Sequence, residues 1–297
     1  MLNYHPSARD EKPTISKIPY DRKWASLLHP GEASDFFAHG PIPSEAALCA
    51  EMSRLAYVTD KARLKTYLNR ANYKNASFTL VDTIGYDRRG MQAFVAKSND
   101  TDQPTVVVAF RGTEGNDFKD LIADLRLRKV DLKDHGRVDE GFIDALADDV
   151  KELVNLIPAD ARSLFTGHSL GGALATLAAA LHNPDFLYTY GSPRVGDHAF
   201  TANIDVVKHE RYVDCCDWVT RVPPPFMKYE HAGDLHYINR HGIVMTSLSN
   251  EEIKEDRHQA TKEYLPTCKP YWNTVPLRGL ADHTPINYVS AVMGLRH

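Results

Sequence analysis

Hydrophobic residues recur along this chain in two spacings, one typical of helices and one typical of strands. Apolar side chains three and four positions apart predict amphipathic helices, and a run rich in Ala and Leu predicts a buried one. Ser44 precedes the first of these segments, and a serine there is a typical helix start. The helices predicted in this way cover residues 44–57, 60–69, 141–156, 170–181 and 286–293.

Runs of β-branched and apolar residues alternate with these helices and predict strands. The predicted strands cover residues 77–84, 91–97, 105–110, 162–166, 186–190 and 210–213. Residues 85–90 contain two glycines and join the first two strands as a hairpin. Strands separated by helices imply a parallel or mixed sheet with helices on both faces, which is an α/β fold.

Residues 239–280 have the least regular pattern. They contain a candidate strand at 243–247, a charged stretch at 251–258 and an aromatic loop at 264–272. We expect this region to form segments that lie outside the central sheet.

Composition indicates one globular domain. The 297 residues are 43% hydrophobic and 25% charged, and no Pro/Gly/Ser-rich linker divides them, so we assign residues 1–297 to a single domain with an N-terminal extension at 1–43. A net charge of −4 leaves no broad basic surface for nucleic acid. The oligomeric state stays open.

The N-terminus lacks the apolar core of a secretory signal, and the longest apolar stretch, residues 170–181, is too short to span a bilayer. We therefore expect no transmembrane segment and a protein that is cytoplasmic or exported without a leader.

The cysteines lack the spacing of a zinc site, and two of them are adjacent, so we expect buried thiols with neither a disulfide framework nor a metal. They are Cys49, Cys215, Cys216 and Cys268. The chain also has no glycine-rich phosphate loop or cofactor fingerprint, and we expect no cofactor.

The run Gly-His-Ser-Leu-Gly-Gly at 167–172 stands between a predicted strand and a predicted helix. Such a turn exposes a serine hydroxyl at the top of a sheet, and Gly167 and Gly171 remove side chains that would collide with it. Ser169 is therefore a candidate nucleophile. The alternative is an ordinary turn in which Ser169 only caps the helix.

A serine alcohol needs a base to take its proton and an acid to orient that base. In α/β-hydrolases both follow the serine, the acid first. Asp214 and Asp217 lie at the end of a predicted strand, and His283 lies just before the terminal helix. Of the other histidines downstream of the serine, we expect surface or packing roles for His231, His236, His241 and His258.

The oxygen that becomes negative during ester cleavage needs hydrogen-bond donors. The backbone N–H of Leu170, directly after the serine, is one candidate. Gly112 lets the chain turn after the strand at 105–110, and the N–H of Thr113 is the other candidate. The alternative is that residues 111–113 form only a strand-ending turn.

Five motifs in order resemble those of the class 3 (fungal-type) lipases. They are Phe-Arg-Gly-Thr at 110–113, Gly-Phe at 141–142, the serine motif at 167–172, Tyr-Gly-Ser-Pro-Arg-Val-Gly-Asp at 190–197, and Asp-Trp-Val at 217–219 leading to Val-Pro-Pro at 222–224.

The resemblance implies an α/β-hydrolase fold with Ser169 as nucleophile, Asp217 as acid and His283 as base, and an oxyanion hole formed by Thr113 and Leu170. It favours Asp217 over Asp214. The chain departs from the family where Asp139 and Asp214 stand in place of common histidines.

The resemblance also implies a lid, which we assign to residues 114–140. Independently, four apolar residues follow helical spacing with polar residues on the other face, so an amphipathic helix is predicted there. They are Phe118, Leu121, Ile122 and Leu125. A fixed core helix is the alternative.

These observations lead us to expect a serine carboxylic-ester hydrolase that acts on lipid-like esters, of the triacylglycerol lipase type, at a lipid–water interface. Phospholipase A1, mono- or diacylglycerol lipase and aryl-ester (feruloyl-type) esterase share the motifs and stay open. A catalytically inactive binding protein on the same fold is the remote alternative.

Overall fold

The computed structural model describes residues 17–86, 91–100, 102–114, 128–146, 149–205, 207–267 and 273–296. Helices within these ranges are α1 Trp24–Leu28, α2 Glu45–Leu55, α3 Lys61–Arg70, α4 Glu140–Leu146, α5 Asp149–Asn155, α6 Leu170–His182, α7 His198–Ile204, α8 Asn250–Tyr264, α9 Arg278–Ala281 and α10 Pro285–Val292. Strands are β1 Phe78–Ile84, β2 Ala93–Ser98, β3 Thr105–Phe110, β4 Lys129–Leu132, β5 Gly136–Asp139, β6 Arg162–His168, β7 Phe186–Tyr190, β8 Lys208–Asp214, β9 Asp234–Ile238 and β10 Val244–Met245.

Eight of these strands form one sheet in the order β1-β2-β3-β6-β7-β8-β9-β10. Neighbouring strands from β3 to β9 pair in parallel, whereas β1, β2 and β10 join antiparallel at the two edges. This confirms the predicted α/β fold with a mostly parallel central sheet. No helix in the described part of the chain is long and apolar enough to cross a membrane.

Strand β3 shows how the sheet is buried on both faces. Val107 and Ala109 point into the core shared with α2, α3 and α10, whereas Val106, Val108 and Phe110 point into the core shared with α4, α6 and α7. Alternate residues of a strand face opposite sides, so a continuous apolar run fits a sheet covered twice. Each large side chain buried in this way contributes about 1.5–3 kcal/mol.

Most predicted elements are present with shifted ends. The strand predicted at 162–166 continues to His168. Helices α4 and α5 cover most of the helix predicted at 141–156, with residues 147–148 outside the described ranges. The strand predicted at 243–247 is only the two residues of β10.

The charged stretch at 251–258 is part of helix α8. It has few apolar positions, and its start is a capping box in which Ser249 and the side chain of Glu252 bond each other's backbone N–H. The short strand β9 was also not predicted, because Asp234 and His236 interrupt its apolar pattern.

The four residues of the predicted lid helix, Phe118, Leu121, Ile122 and Leu125, lie outside the described residues. The C-terminal end of the range 114–140 is described, and it forms the hairpin of β4 and β5. Val138 in this hairpin is fully buried, and the backbone N–H of Asp139 donates to the Val195 carbonyl at 3.0 Å. This end of the range is therefore anchored to the core.

The described part of the N-terminal extension packs against the C-terminal helices. The backbone N–H of Ile18 donates to the Leu295 carbonyl at 2.7 Å, and the hydroxyl of Tyr20 donates to Asp282 at 2.6 Å. The ring of Tyr20 lies between the guanidinium groups of Arg278 and Arg296, each 4.7 Å from its centroid. The segment that begins at residue 17 thus supports the region that carries His283.

Candidate active site

Ser169 stands at a sharp turn between β6 and α6. Its backbone lies in the left-handed region, with φ 59° and ψ −129°, which a side-chain-bearing residue adopts only at a cost. A Cβ on Gly167 would lie 2.1 Å from the Gly171 carbonyl oxygen, and one on Gly171 would lie 2.2 Å from that of Phe110. Only glycines therefore allow this turn.

Three side chains predicted from the sequence meet at this turn. The hydroxyl of Ser169 lies 2.9 Å from Nε2 of His283, and Nδ1 of His283 lies 2.8 Å from Oδ2 of Asp217. All three residues are at most 1% exposed. In the neutral imidazole, Nδ1–H donates to the carboxylate and leaves Nε2 to accept the serine proton. The arrangement can activate an alcohol.

Tyr288 of helix α10 holds Asp217 in place. Its hydroxyl donates to Oδ2 of Asp217 at 2.6 Å and accepts the backbone N–H of Asp214 at 2.9 Å. The other carboxylate oxygen accepts the backbone N–H of Val219 at 2.9 Å. Burial raises the pKa of Tyr288 well above its ordinary value, so its hydroxyl stays a donor.

Asp282 ties together the backbones that carry the base and the acid. It precedes His283, and its carboxylate accepts the backbone N–H of Cys216, which precedes Asp217, at 2.9 Å. The hydroxyl of Tyr20 and Nε of Arg278 also donate to Asp282, at 2.6 and 3.0 Å. The hydrogen bond between Cys216 and Asp282 lies one residue before that between Asp217 and His283 on both segments, and it fixes the separation of the acid and the base.

Gly191, in the motif at 190–197, lies against both partners of the serine. A Cβ at this position would be 2.9 Å from Oδ2 of Asp217 and 3.2 Å from Cε1 of His283, and its φ is +61°. Space and backbone conformation both require glycine here.

The structure separates the two candidate acids. Asp214 pairs with Arg296 in the interior, and the carboxylate beside Nδ1 of His283 is that of Asp217. The four other candidate histidines have partners elsewhere or are exposed: Nε2 of His231 bonds the Thr220 carbonyl, His236 lies beside Glu210, and His241 and His258 are exposed.

The two predicted oxyanion donors lie on adjoining segments at the same edge of the sheet. Leu170 is the first residue of α6, so its N–H has no acceptor within the helix. Thr113 follows Gly112, where a Cβ would lie 2.6 Å from the His168 carbonyl oxygen. The turn that carries Thr113 is therefore packed directly against the serine turn.

Cys49, Cys215 and Cys216 are free and buried, and Cys268 lies outside the described residues. The thiols of Cys215 and Cys216 and a carboxylate oxygen of Asp282 lie within 4.8 Å of one another. A cation there would compete with Arg278 for Asp282, so these residues fit a metal poorly.

Asp139, one of the two departures from the family pattern, is buried at the end of β5. Its carboxylate accepts the backbone N–H of Gly141 at 2.9 Å and the hydroxyl of Tyr229 at 3.0 Å. Burial raises the pKa of this carboxyl. It joins the hairpin to the loop after residue 222, away from Ser169.

Several supporting residues were not predicted, namely Tyr288, Asp282 and Gly191. Tyr288 lies 71 positions from the carboxylate it bonds, and no local pattern links the two. The sequence did mark Gly191 and Asp282. Gly191 lies in the motif at 190–197, and Asp282 directly precedes the predicted base His283.

Comparison with known proteins relates this site to lipases. Residues 107–227 match the family described as lipase (class 3). A lipase of Rhizomucor miehei is 34% identical over 233 residues, which is 72% of this chain and 58% of that protein. The secreted mono- and diacylglycerol lipase 1 of Fusarium solani is 30% identical over 200 residues, 63% of this chain and 59% of that protein.

A solved structure of the Rhizomucor miehei lipase with its propeptide aligns with a TM-score of 0.53 and 27% identity, over 65% of this chain and 66% of that one. This chain spans a little under three fifths of the length of the two curated relatives.

Proposed function

Since this chain belongs to the class 3 lipase family of the α/β-hydrolase superfamily, we propose that it hydrolyses carboxylic esters of lipid-like substrates through an acyl-serine intermediate. The observation that carries the proposal is the continuous hydrogen-bonded series from Ser169 through His283 to Asp217. A buried series of this kind has the geometry of nucleophilic catalysis.

In the proposed reaction, Ser169 attacks the ester carbonyl carbon while Nε2 of His283 takes its proton. Asp217 stabilises the resulting imidazolium and keeps its ring oriented. His283 then returns the proton to the leaving alcohol, and the acyl group stays on Ser169. A water molecule, deprotonated by His283, releases the acid and restores the serine.

The backbone N–H groups of Thr113 and Leu170 are proposed to bind the oxyanion. Negative charge develops on the carbonyl oxygen when Ser169 attacks, and donors already in position stabilise it without reorganisation. The packing of Gly112 against His168 supports this assignment, because it brings the two donor segments together.

Exposed apolar side chains on the chain segments that follow Asp217 and precede His283 support a lipid-like substrate. Trp218 directly follows Asp217 and is 41% exposed, Leu277 is 42% exposed, and Phe226, in the loop after residue 222, is 85% exposed. Such side chains suit an acyl chain better than a charged substrate. We propose the triacylglycerol lipase type, with a lid formed by the segment that carries Phe118.

Ser169→Ala tests the mechanism. The wild-type chain should label with a fluorophosphonate probe and hydrolyse p-nitrophenyl butyrate, and the variant should lose labelling and about 10⁴-fold or more in kcat. Ser53→Ala is the matched control, because it removes another buried hydroxyl, on helix α2. A wild-type protein that neither labels nor turns over would instead support the inactive binding protein.

A panel of p-nitrophenyl esters of increasing chain length tests the substrate class, with phospholipid and feruloyl esters beside it. The lipase type predicts a preference for long chains and a rise in rate once the ester forms droplets or micelles. Fastest turnover of short soluble or aromatic esters would contradict it.

A further inference from the structure

Tyr57 and His168 link the loop at residues 111–114, which carries the proposed oxyanion donor Thr113 and is called the oxyanion loop below, to the backbone of the base His283. The hydroxyl of Tyr57 lies 2.9 Å from Nδ1 of His168, and Nε2 of His168 lies 2.9 Å from the carbonyl oxygen of His283. The backbone of Gly112 packs against the same hydroxyl, because a Cβ on Gly112 would lie 2.2 Å from it. These contacts join three segments that are far apart along the chain.

The direction of each hydrogen bond follows from its acceptor. The carbonyl of His283 can only accept, so Nε2 of His168 carries the hydrogen and Nδ1 of the neutral ring accepts from Tyr57. Burial, together with the nearby His283, holds the pKa of His168 well below its ordinary value. Burial likewise raises the pKa of Tyr57. The hydroxyl of Tyr57 therefore stays protonated and the His168 ring stays neutral, as both hydrogen bonds require.

The oxyanion loop packs directly against the hydroxyl of Tyr57. A Cβ on Gly112 would lie 2.2 Å from the Tyr57 hydroxyl, so the loop rests directly on that oxygen. On the loop itself, Arg111 and Glu114 pair at 2.7 Å across the turn that carries Thr113. The Tyr57 hydroxyl therefore limits how closely the backbone at Gly112, directly before Thr113, can approach.

The link also reaches the base itself. The rings of His168 and His283 are 4.6 Å apart, and the bond from His168 holds the main chain from which the His283 side chain extends. A shift of His168 would thus move the base relative to Ser169, while a shift of Tyr57 would move the oxyanion donor.

We propose that Tyr57 and His168 are positioning residues that hold the Thr113 amide and the His283 imidazole in their places relative to Ser169 during ester cleavage. This inference rests on the hydrolase function proposed above. Neither side chain is assigned contact with substrate, and both act through the groups they hold. The competing interpretation is that they stabilise the fold and leave the reaction unchanged.

Tyr57→Phe separates the two interpretations, because it keeps the ring and removes only the hydroxyl. We expect kcat for p-nitrophenyl butyrate to fall about 10- to 100-fold with KM within about twofold, since misplacement by an ångström near the reacting atoms has effects of this size. Tyr188→Phe is the matched control: its hydroxyl donates to the Glu45 carboxylate at 2.8 Å, away from the reacting groups. It should lose thermal stability without losing kcat.

An unchanged kcat in Tyr57→Phe, or equal losses in both variants, would overturn the inference. Inactivity of the wild-type chain would instead refute the proposed function, so the two failures are distinguishable.

Two replacements of His168 test each half of the link. Asn places an amide oxygen near the position of Nδ1 and keeps an acceptor for Tyr57, whereas Gln places an amide nitrogen near Nε2 and keeps a donor for His283. In the His168→Gln background, Tyr57→Phe should cost less in kcat than it does in wild type, because its acceptor is already gone. In His168→Asn it should still cost several-fold. Additive losses in both backgrounds would refute the coupling.

Discussion

At Gly191 the backbone lies against both partners of the reacting serine, and this contact limits what the position can hold. Gly191→Ala would place a methyl group 2.9 Å from the Asp217 carboxylate, so the acid or the base must move. We expect kcat to fall about 100-fold, as for other ångström-scale displacements. Kinetics with a short p-nitrophenyl ester measures the loss.

Gly294→Ala is the control for backbone strain. Its φ of +69° is close to that of Gly191, but nothing lies within 4 Å of the added Cβ. Both variants should lose roughly 1–2 kcal/mol of unfolding free energy, and only Gly191→Ala should lose activity. Equal kcat in the two variants would argue against a steric origin.

The site was predictable at the residue scale only where its signals are local. Ser169 lies in a short motif between a strand and a helix, and His283 lies directly before the last helix, so sequence pattern located both. Tyr57 could not be found in this way, because its hydroxyl bonds a ring 111 positions away. Contacts of this kind depend on how the sheet brings distant segments together.

Helix α2 depends on a buried ion pair. Arg54 and Glu51 are fully buried and 2.6 Å apart, and Glu51 also accepts the backbone N–H of Phe36 at 2.9 Å. Arg54→Leu leaves the carboxylate without its cation and should lower the unfolding free energy by about 3–5 kcal/mol. Urea denaturation measures the change.

Adding Glu51→Gln to Arg54→Leu should restore much of this stability, because the uncompensated charge is removed. Asp131→Ala is the surface comparison. Asp131 pairs with Arg137 at 3.3 Å and its side chain is 88% exposed, so at most about 1 kcal/mol should be lost. If Arg54→Leu lowered the unfolding free energy by no more than Asp131→Ala does, burial would not increase the cost of breaking the ion pair.

Elements with strong apolar periodicity, such as β3 and α6, were predicted from the sequence, whereas the polar helix α8 and the strand β9 were not. Helix α8 buries only Ile253, Ala260 and Tyr264 among the described side chains along its length, so its hydrophobic pattern is weak. Its capping box was visible in the sequence and was the better signal. Strand β10 is short because its pairing with β9 covers two residues.

Across the whole molecule, buried neutral histidines make stability depend on pH. Burial lowers the pKa of His209 to about 3 and that of His168 well below its ordinary value. The unfolded chain binds protons at these histidines near pH 6.5 while the folded chain does not, so stability is present above that pH and is lost as pH falls. Each histidine contributes up to about 1.4 kcal/mol per pH unit in this window.

Urea denaturation between pH 7.5 and 4.5 measures this slope. His209→Gln should flatten it by up to one proton, because an amide does not titrate and can still bond Thr189, which lies 2.9 Å from Nε2 of His209. His258→Gln, which makes the same replacement at an exposed position on α8, is the control for the substitution itself. An identical slope in wild type and His209→Gln would contradict the assignment.

The backbone bond between Ile18 and Leu295 brings the main chain at residues 17 and 296 close together. A short peptide could therefore join them into a ring, and the backbone could be reopened at the exposed turn between β4 and β5. In such a circular permutant Tyr20 would still reach Asp282. The order of segments along the polypeptide would change, while the neighbours of the reacting groups would stay the same.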